Sequence, residues 1–153
     1  MDDIDRRLVR TLLADARTPY AELARQVGLS AASVHERVRK LERDGVLLGS
    51  AAVVDARAIG LGVSALVSLQ QREGVDADDI VAGLEDVPEV EDCWFVAGEE
   101  AFVVKVRVAD LDDLDRTLRV LRHVPGVTRT RTTVVLSTRF EGRRRVPGPD
   151  QQG

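Results

Sequence analysis

The chain has 153 residues, 44% of them hydrophobic but only 3% aromatic. That allows one ordinary domain or two small ones on an aliphatic core, and argues against binding single strands by stacking bases on aromatic rings. The single cysteine, Cys93, excludes an internal disulfide and a thiolate zinc site, and the net charge of −4 argues against a broadly basic surface.

That charge is unevenly divided. Residues 1–50 carry +1, residues 51–138 carry −7 and residues 139–153 carry +2. Screening limits each charge to a reach of about 10 Å, so a local basic face on the first segment can still meet phosphate. The small excess predicts weak binding by one copy and affinity gained through assembly. The opening MDDIDRR has no apolar stretch to act as a secretory signal, and the longest uncharged run, residues 58–71, is shorter than the about 20 helical residues that cross a bilayer. The expected location is cytoplasmic, with no membrane partner.

In chain order, Ile4, Leu8 and Leu12 recur every four residues and predict a first helix with Asp2 and Asp3 at its positive end. In residues 19–45, PYAELARQVGLSAASVHERVRKLERDG, the positions Leu23, Ala24 and Val27 mark one face of a second helix. Gly28 stops it, Leu29 fills the corner and Ser30 can cap a third helix running to Asp44. Ala24 is small enough to let the two helices cross closely, as in a helix-turn-helix.

On the third helix Val34, Val38 and Leu41 point inward. The opposite side carries Ala32, Ser33, Glu36, Arg39, Lys40 and Arg43, with His35 and Arg37 on the flanks. Together with Ser30 these residues form the candidate contact set for double-stranded DNA. Small residues near the N-terminus let the helix approach base edges, the cations reach phosphates or guanine, and Glu36 can accept from a cytosine amino group. A solvated outer face would give the same pattern, so both readings stay open at this point.

After Gly45, the aliphatic run Val46 to Val54 predicts an extended segment, an abbreviated wing or a leading strand, although Gly49 weakens it. Residues 56–62, ARAIGLG, read as a junction, which places a domain boundary near Gly60. The expected organisation is a DNA-binding domain over 1–60, a second domain over 61–140, and a disordered basic tail over 141–153 in which Arg143 to Arg145 either touch DNA or remain solvated.

The second half predicts strands at Val63–Gln70, Val90–Ala97, Ala101–Val108 and Val127–Leu136, with helices at Asp76–Leu84 and Leu111–Arg122. The order βαββαβ is that of the ferredoxin-like split fold, two helices on one face of a four-stranded antiparallel sheet, so the chain is α+β. The other face carries groups such as Val and Trp, and a second copy of the chain is the simplest cover for it. Arg129 and Arg131 share one face of the last strand. A carboxylate-binding role competes there with plain exposure or cross-strand pairing.

The whole chain resembles the Lrp/AsnC (feast/famine) family of regulators. The resemblance rests on IDRRLVRTLLADART, AELARQVGLSAASVHERVRKLERDGVLLGSAAVVD, the GLG junction, VPEVEDCWFVAGEEAFVVKV and VPGVTRTRTTVVL, in order over roughly residues 2–140. It implies a winged-helix-type N-terminal domain and a ferredoxin-like effector and oligomerisation domain. It also implies a dimer that assembles into tetramers or octamers, with an amino acid bound between subunits. The implied effector residues are Val96, Gly98, Glu99, Glu100, Ala101, Thr132 and Thr133. The family pattern Gly-Asp-aromatic-Asp reads here Gly98, Glu99, Glu100 and Ala101, and Ala101 cannot hold an ammonium group. An altered ligand, an amino acid held by other groups, or no ligand all fit.

Two other classes remain. An architectural protein that organises DNA without an effector would share the N-terminal helices. Some haem-pathway decarboxylases resemble the same two-domain architecture, but only His35 and His123 offer imidazole here, and no Ser/His/Asp set, metal cluster or phosphate loop is visible. The expectation is a regulator, not an enzyme, without a cofactor.

Overall fold

The computed structural model describes residues 1–142, in two compact units. One takes in Met1–Ala52 together with residues 140–142; the other is Val53–Arg139. The arginines at 143–145 lie outside the described residues.

The first unit holds α1 (Asp3–Ala14), α2 (Tyr20–Val27) and α3 (Ala31–Arg43). Helix α1 starts in a capping box. Asp2 Oδ1 accepts from the Asp5 N–H at 2.8 Å and Asp5 Oδ2 accepts from the Asp2 N–H at 3.1 Å, so two donors that the helix leaves free are satisfied. Helix α2 ends at Gly28, whose φ of +71° is the left-handed turn that a side chain would strain. The N–H groups of Gly28 and Leu29 both reach the Ala24 carbonyl, which reverses the chain within two residues. Ser30 then caps α3 by accepting from the Ser33 N–H at 3.1 Å. Leu8, Leu23, Ala24, Val34 and Val38 form the core of this unit, with Ile4, Leu12, Val27, Leu29 and Leu47 packed around it.

The extended segment expected over Val46 to Val54 does not form a strand. The N–H groups of Val46 and Leu47 fold back onto the Leu41 carbonyl, at 2.9 and 3.1 Å, and close the end of α3. Those donors are then lost to any ladder, and Leu48 and Val53 stand almost fully exposed.

The second unit runs β1 (Val63–Gln71), α4 (Ala77–Glu85), β2 (Val90–Phe95), β3 (Phe102–Val108), α5 (Leu111–His123) and β4 (Val127–Val135). The strands form one antiparallel sheet in the order β2-β3-β1-β4, the expected split fold. Register explains the burial. Ala65, Val67 and Leu69 of β1 lie opposite Val106, Val104 and Phe102 of β3, and all six are sealed against Ile80 and Leu84 of α4 and Leu114 and Leu121 of α5. Antiparallel partners point to the same face, so the alternate residues Leu66, Ser68, Gln70, Trp94, Val103, Arg129, Arg131 and Thr133 stand on the open face. Asp76 and Asp110 cap α4 and α5.

Candidate nucleic-acid interface and ligand pocket

The burial of Val34, Val38 and Leu41 fixes the rotation of α3, and with it what the helix shows to solvent. Ala32, Ser33, Glu36, Arg39, Lys40 and Arg43 are all exposed on the outer side. Among the described residues, Arg39, Lys40 and Arg43 enter no ion pair, whereas several arginines on the other helices are engaged. Arg25 holds Glu22 at 2.7 Å, Arg116 pairs with Asp113, and Arg119 holds Asp115 at 2.7 Å. The Glu22 carboxyl is pulled down to about 2 by hydrogen bonds from Arg25 and then Gln26. The outer side of α3 therefore offers three uncommitted cations below an N-terminus of small side chains, a surface suited to a polyanion.

The structure separates the two flanking residues from that face. His35 is half-buried and its ring meets Tyr20 edge-on, with centroids 5.1 Å apart. Arg37 turns toward α1, where Nη1 donates to Asp2 Oδ2 and to Asp5 Oδ1, each at 2.7 Å. Each aspartate gives one oxygen to the α1 capping box and the other to Arg37. The hydrogen bond from the Asp5 N–H, and then Arg37, hold the Asp2 carboxyl below its ordinary value, and the two carboxylates raise the Arg37 guanidinium in turn. Helical spacing alone cannot find this tie, because its partners lie 32 and 35 residues away. Ser30 and Ser33 spend part of their capacity on each other, their hydroxyls 2.9 Å apart.

At the lower end of the open sheet face lies a pocket of about 60 Å³ lined by Ser68, Gln70, Glu99, Glu100, Arg129, Thr130 and Arg131. Arg131 pairs with Glu100, the competing reading of that arginine. Of the expected effector residues, Glu99 and Glu100 line the pocket, while Val96, Gly98, Ala101, Thr132 and Thr133 do not. Val96 and Ala101 close the β2–β3 turn through their backbones, Val96 N–H to Ala101 O at 2.8 Å, and the Ala101 N–H donates to Leu69 O at 3.0 Å. Thr132 lies opposite Val67 on the helix side of the sheet and Thr133 opposite Leu66 on the open side, so strand alternation sends the two threonines apart. Ser68 and Gln70 were not singled out in the sequence. Their place follows from the pairing of Ser68 with Arg131 and Gln70 with Arg129, which depends on register.

Above the pocket the open face is apolar at Leu66, Trp94 and Val103, and charged at one side, where Glu91 meets Lys105 and Arg107 at 2.7 Å each. Burial raises the Glu91 carboxyl, but the hydrogen bonds from Lys105 and Arg107 outweigh it and leave it lowered. His123 sits exposed at the end of α5, its Nδ1 2.6 Å from the Arg119 carbonyl. Among the described residues no group of three or more His, Cys, Asp or Glu side chains could hold a metal, and no helix is long and apolar enough to cross a membrane.

Comparison with known proteins agrees with this division. The AsnC-type helix-turn-helix domain matches residues 1–42 and the Lrp/AsnC ligand binding domain matches residues 63–145. The HTH-type transcriptional regulator LrpA of Mycobacterium tuberculosis is 44% identical over 147 residues, covering 96% of this chain and 97% of that protein. The crystal structure of that organism's leucine response regulatory protein LrpA superposes with a TM-score of 0.88 at 44% identity, over 96% of this chain and all of that one. A feast or famine regulatory protein from M. tuberculosis, solved in complex with L-methionine, gives a TM-score of 0.90 at 44% identity over 95% and 99% of the two chains.

Proposed function

Because the chain belongs to the Lrp/AsnC family and is a DNA-binding transcriptional regulator, we propose that it acts as a symmetric oligomer that presents α3 to double-stranded DNA and answers to an amino acid. The observation that carries this reading is the outer face of α3, where Arg39, Lys40 and Arg43, without an ion-pair partner among the described residues, stand beside Ala32, Ser33 and Glu36. Two copies joined about a twofold axis would set two such helices into major grooves about one helical turn, ~34 Å, apart on a partly palindromic site. The open sheet face supplies the joining surface. Leu66, Trp94 and Val103 are an apolar centre that water covers at a cost, and the Glu91, Lys105 and Arg107 cluster borders it. The amino acid sits at the pocket formed by Glu99, Glu100, Arg129 and Arg131, beside that surface. The L-methionine complex of the M. tuberculosis relative supports an amino acid as the ligand. The reading includes no cofactor and no catalytic step.

Equilibrium sedimentation of the wild-type chain and of Val103→Asp, followed by DNA titration of both, tests the reading. The wild type is expected to be a dimer or larger and to prefer its operator over random DNA by about a thousandfold. The variant is expected to be monomeric and to lose most of its affinity. A monomeric wild type with full affinity refutes the assembly. Equal affinity for operator and random DNA favours an architectural protein instead.

A further inference from the structure

Helix α3 has two flanks, and a different helix closes each. At about 100° per residue, Ser33, Arg37 and Lys40 form one column and Ala32, His35 and Arg39 the other. Arg37 is tied to α1 through Asp2 and Asp5. His35 meets α2 instead, through Tyr20, the first residue of that helix, with ring centroids 5.1 Å apart and planes at 82°. In that geometry the positive edge of one ring meets the negative face of the other, which favours one arrangement of both side chains. The Tyr20 ring also lines a hollow with Leu12, Leu13 and Val38, so its aromatic body is seated on apolar groups. Yet Tyr20 is 41% exposed, and neither its hydroxyl nor the His35 ring nitrogens have a hydrogen-bond partner among the described residues.

A seated ring with a free hydroxyl has its donor to spare for a group outside the domain. In a helix-turn-helix the helix before the reading helix crosses the nucleic-acid backbone, so a donor on the α2 flank of α3 meets phosphate rather than base edges. Arg39 is the one cation in the column on this flank, and Ala32 is too short to reach a phosphate. A phenol that donates to a phosphate oxygen makes a hydrogen bond to an ionised acceptor, about twice as strong as one between neutral groups. Being uncharged, it releases no counterion of its own. Such a bond is directional where an ion pair is not, so it constrains the angle at which α3 enters the groove. Because His35 and the hollow already hold the ring, little rotamer freedom is lost when the bond forms.

We propose that Tyr20, held by His35, donates to a DNA phosphate beside α3 and sets the angle at which that helix docks. Tyr20 makes the contact, and His35 is a positioning residue that touches no DNA itself. This inference rests on the reading above that α3 faces DNA, and it adds an uncharged contact from a second helix.

The test is titration of the full chain and its variants with a random-sequence DNA duplex over a range of salt, since a phosphate contact carries no sequence information. Tyr20→Phe keeps the ring and its contact with His35 and removes only the hydroxyl. It should bind about tenfold more weakly, with the salt slope and the melting temperature unchanged. His35→Ala should lose about as much, and adding it to Tyr20→Phe should cost little more, because both changes remove the same contact. Nitration by tetranitromethane reads the residue directly, since the chain has no other tyrosine, and bound DNA should protect it. Full affinity in Tyr20→Phe, or nitration as fast in the complex as in the free protein, overturns the inference. A wild-type affinity that rises as pH falls through the ordinary imidazole range, and no longer does so in His35→Gln, makes His35 the contact and overturns it as well. Arg39→Ala with Lys40→Ala separates the two readings. A lowered salt slope there beside a silent Tyr20→Phe removes Tyr20 and leaves α3 facing DNA, whereas full affinity in both variants overturns both.

Discussion

Arg37 carries the most discriminating prediction, because helical spacing puts it beside the DNA-facing set while the folded chain turns it inward. Its Nη1 lies 2.7 Å from both Asp2 Oδ2 and Asp5 Oδ1, with side chains 34%, 52% and 13% exposed respectively. An exposed ion pair is worth about 0.2–1 kcal/mol after screening. Two such pairs on one nitrogen, one of them half-enclosed, give about 1.5 kcal/mol for Arg37→Ala, or about 3–6 °C in melting temperature. Asp2→Asn isolates one pair, since asparagine still offers Oδ1 to the Asp5 N–H and keeps the cap, so it should cost about half as much. Arg37→Lys should recover part of the loss, since both bonds come from a single nitrogen.

The decisive assay is the salt dependence of DNA affinity. A residue held by α1 releases no counterions, so the slope of log K against log salt should be unchanged in Arg37→Ala even if affinity falls modestly. A slope reduced by about 0.9 per protomer, with melting unaltered, would refute the tie and return Arg37 to the phosphate contacts. The pH dependence follows from the same geometry. Asp2 titrates below its ordinary 3.8 in the folded chain, so its contribution is fully present above that value and is lost as pH falls through the lowered one. The difference in melting temperature between wild type and Arg37→Ala should therefore be constant from pH 7 to about 5 and shrink below about pH 4.

The outer face of α3 predicts the opposite behaviour. Arg39→Ala with Lys40→Ala should weaken binding to operator and random DNA alike and lower the salt slope by up to about 1.8 per protomer, with melting preserved; an unchanged slope would mean the wrong helix face was chosen. Glu36→Ala should alter the preference among operator variants while leaving random-DNA affinity within about twofold, and equal losses on both would contradict a base-reading role. In the second unit, Gly126 has a φ of +91° and a Cβ there would stand 2.7 Å from Val75 Cγ1 and 3.0 Å from Ile80 Cγ1. Gly126→Ala should cost about 2–4 kcal/mol from backbone strain and overpacking, read by urea unfolding, and a loss below about 0.5 kcal/mol would show that the turn relaxes freely.

The sequence by itself determined what depends on neighbours a few residues away. The spacing of Leu23, Ala24 and Val27, the stop at Gly28, the cap at Ser30 and the inward stripe Val34, Val38 and Leu41 are local periodicities, and they place α2 and α3 almost to the residue. The βαββαβ order is legible for the same reason. Alternation and helical period announce each element, and the split fold then leaves one sheet face uncovered.

Tertiary structure decided what depends on residues far apart in the chain. Arg37 looked like its neighbours on α3 until α1 brought two carboxylates to it. Val46 to Val54 read as an extended segment, a wing or a leading strand, until the Leu41 carbonyl took the donors of Val46 and Leu47. Thr132 and Thr133 looked like one site until register put them on opposite faces, and Ser68 and Gln70 joined the pocket through strand pairing alone. Hydrogen bonds and ion pairs form over about 3 Å irrespective of distance along the chain, whereas periodicity records only which face of its own element a residue occupies.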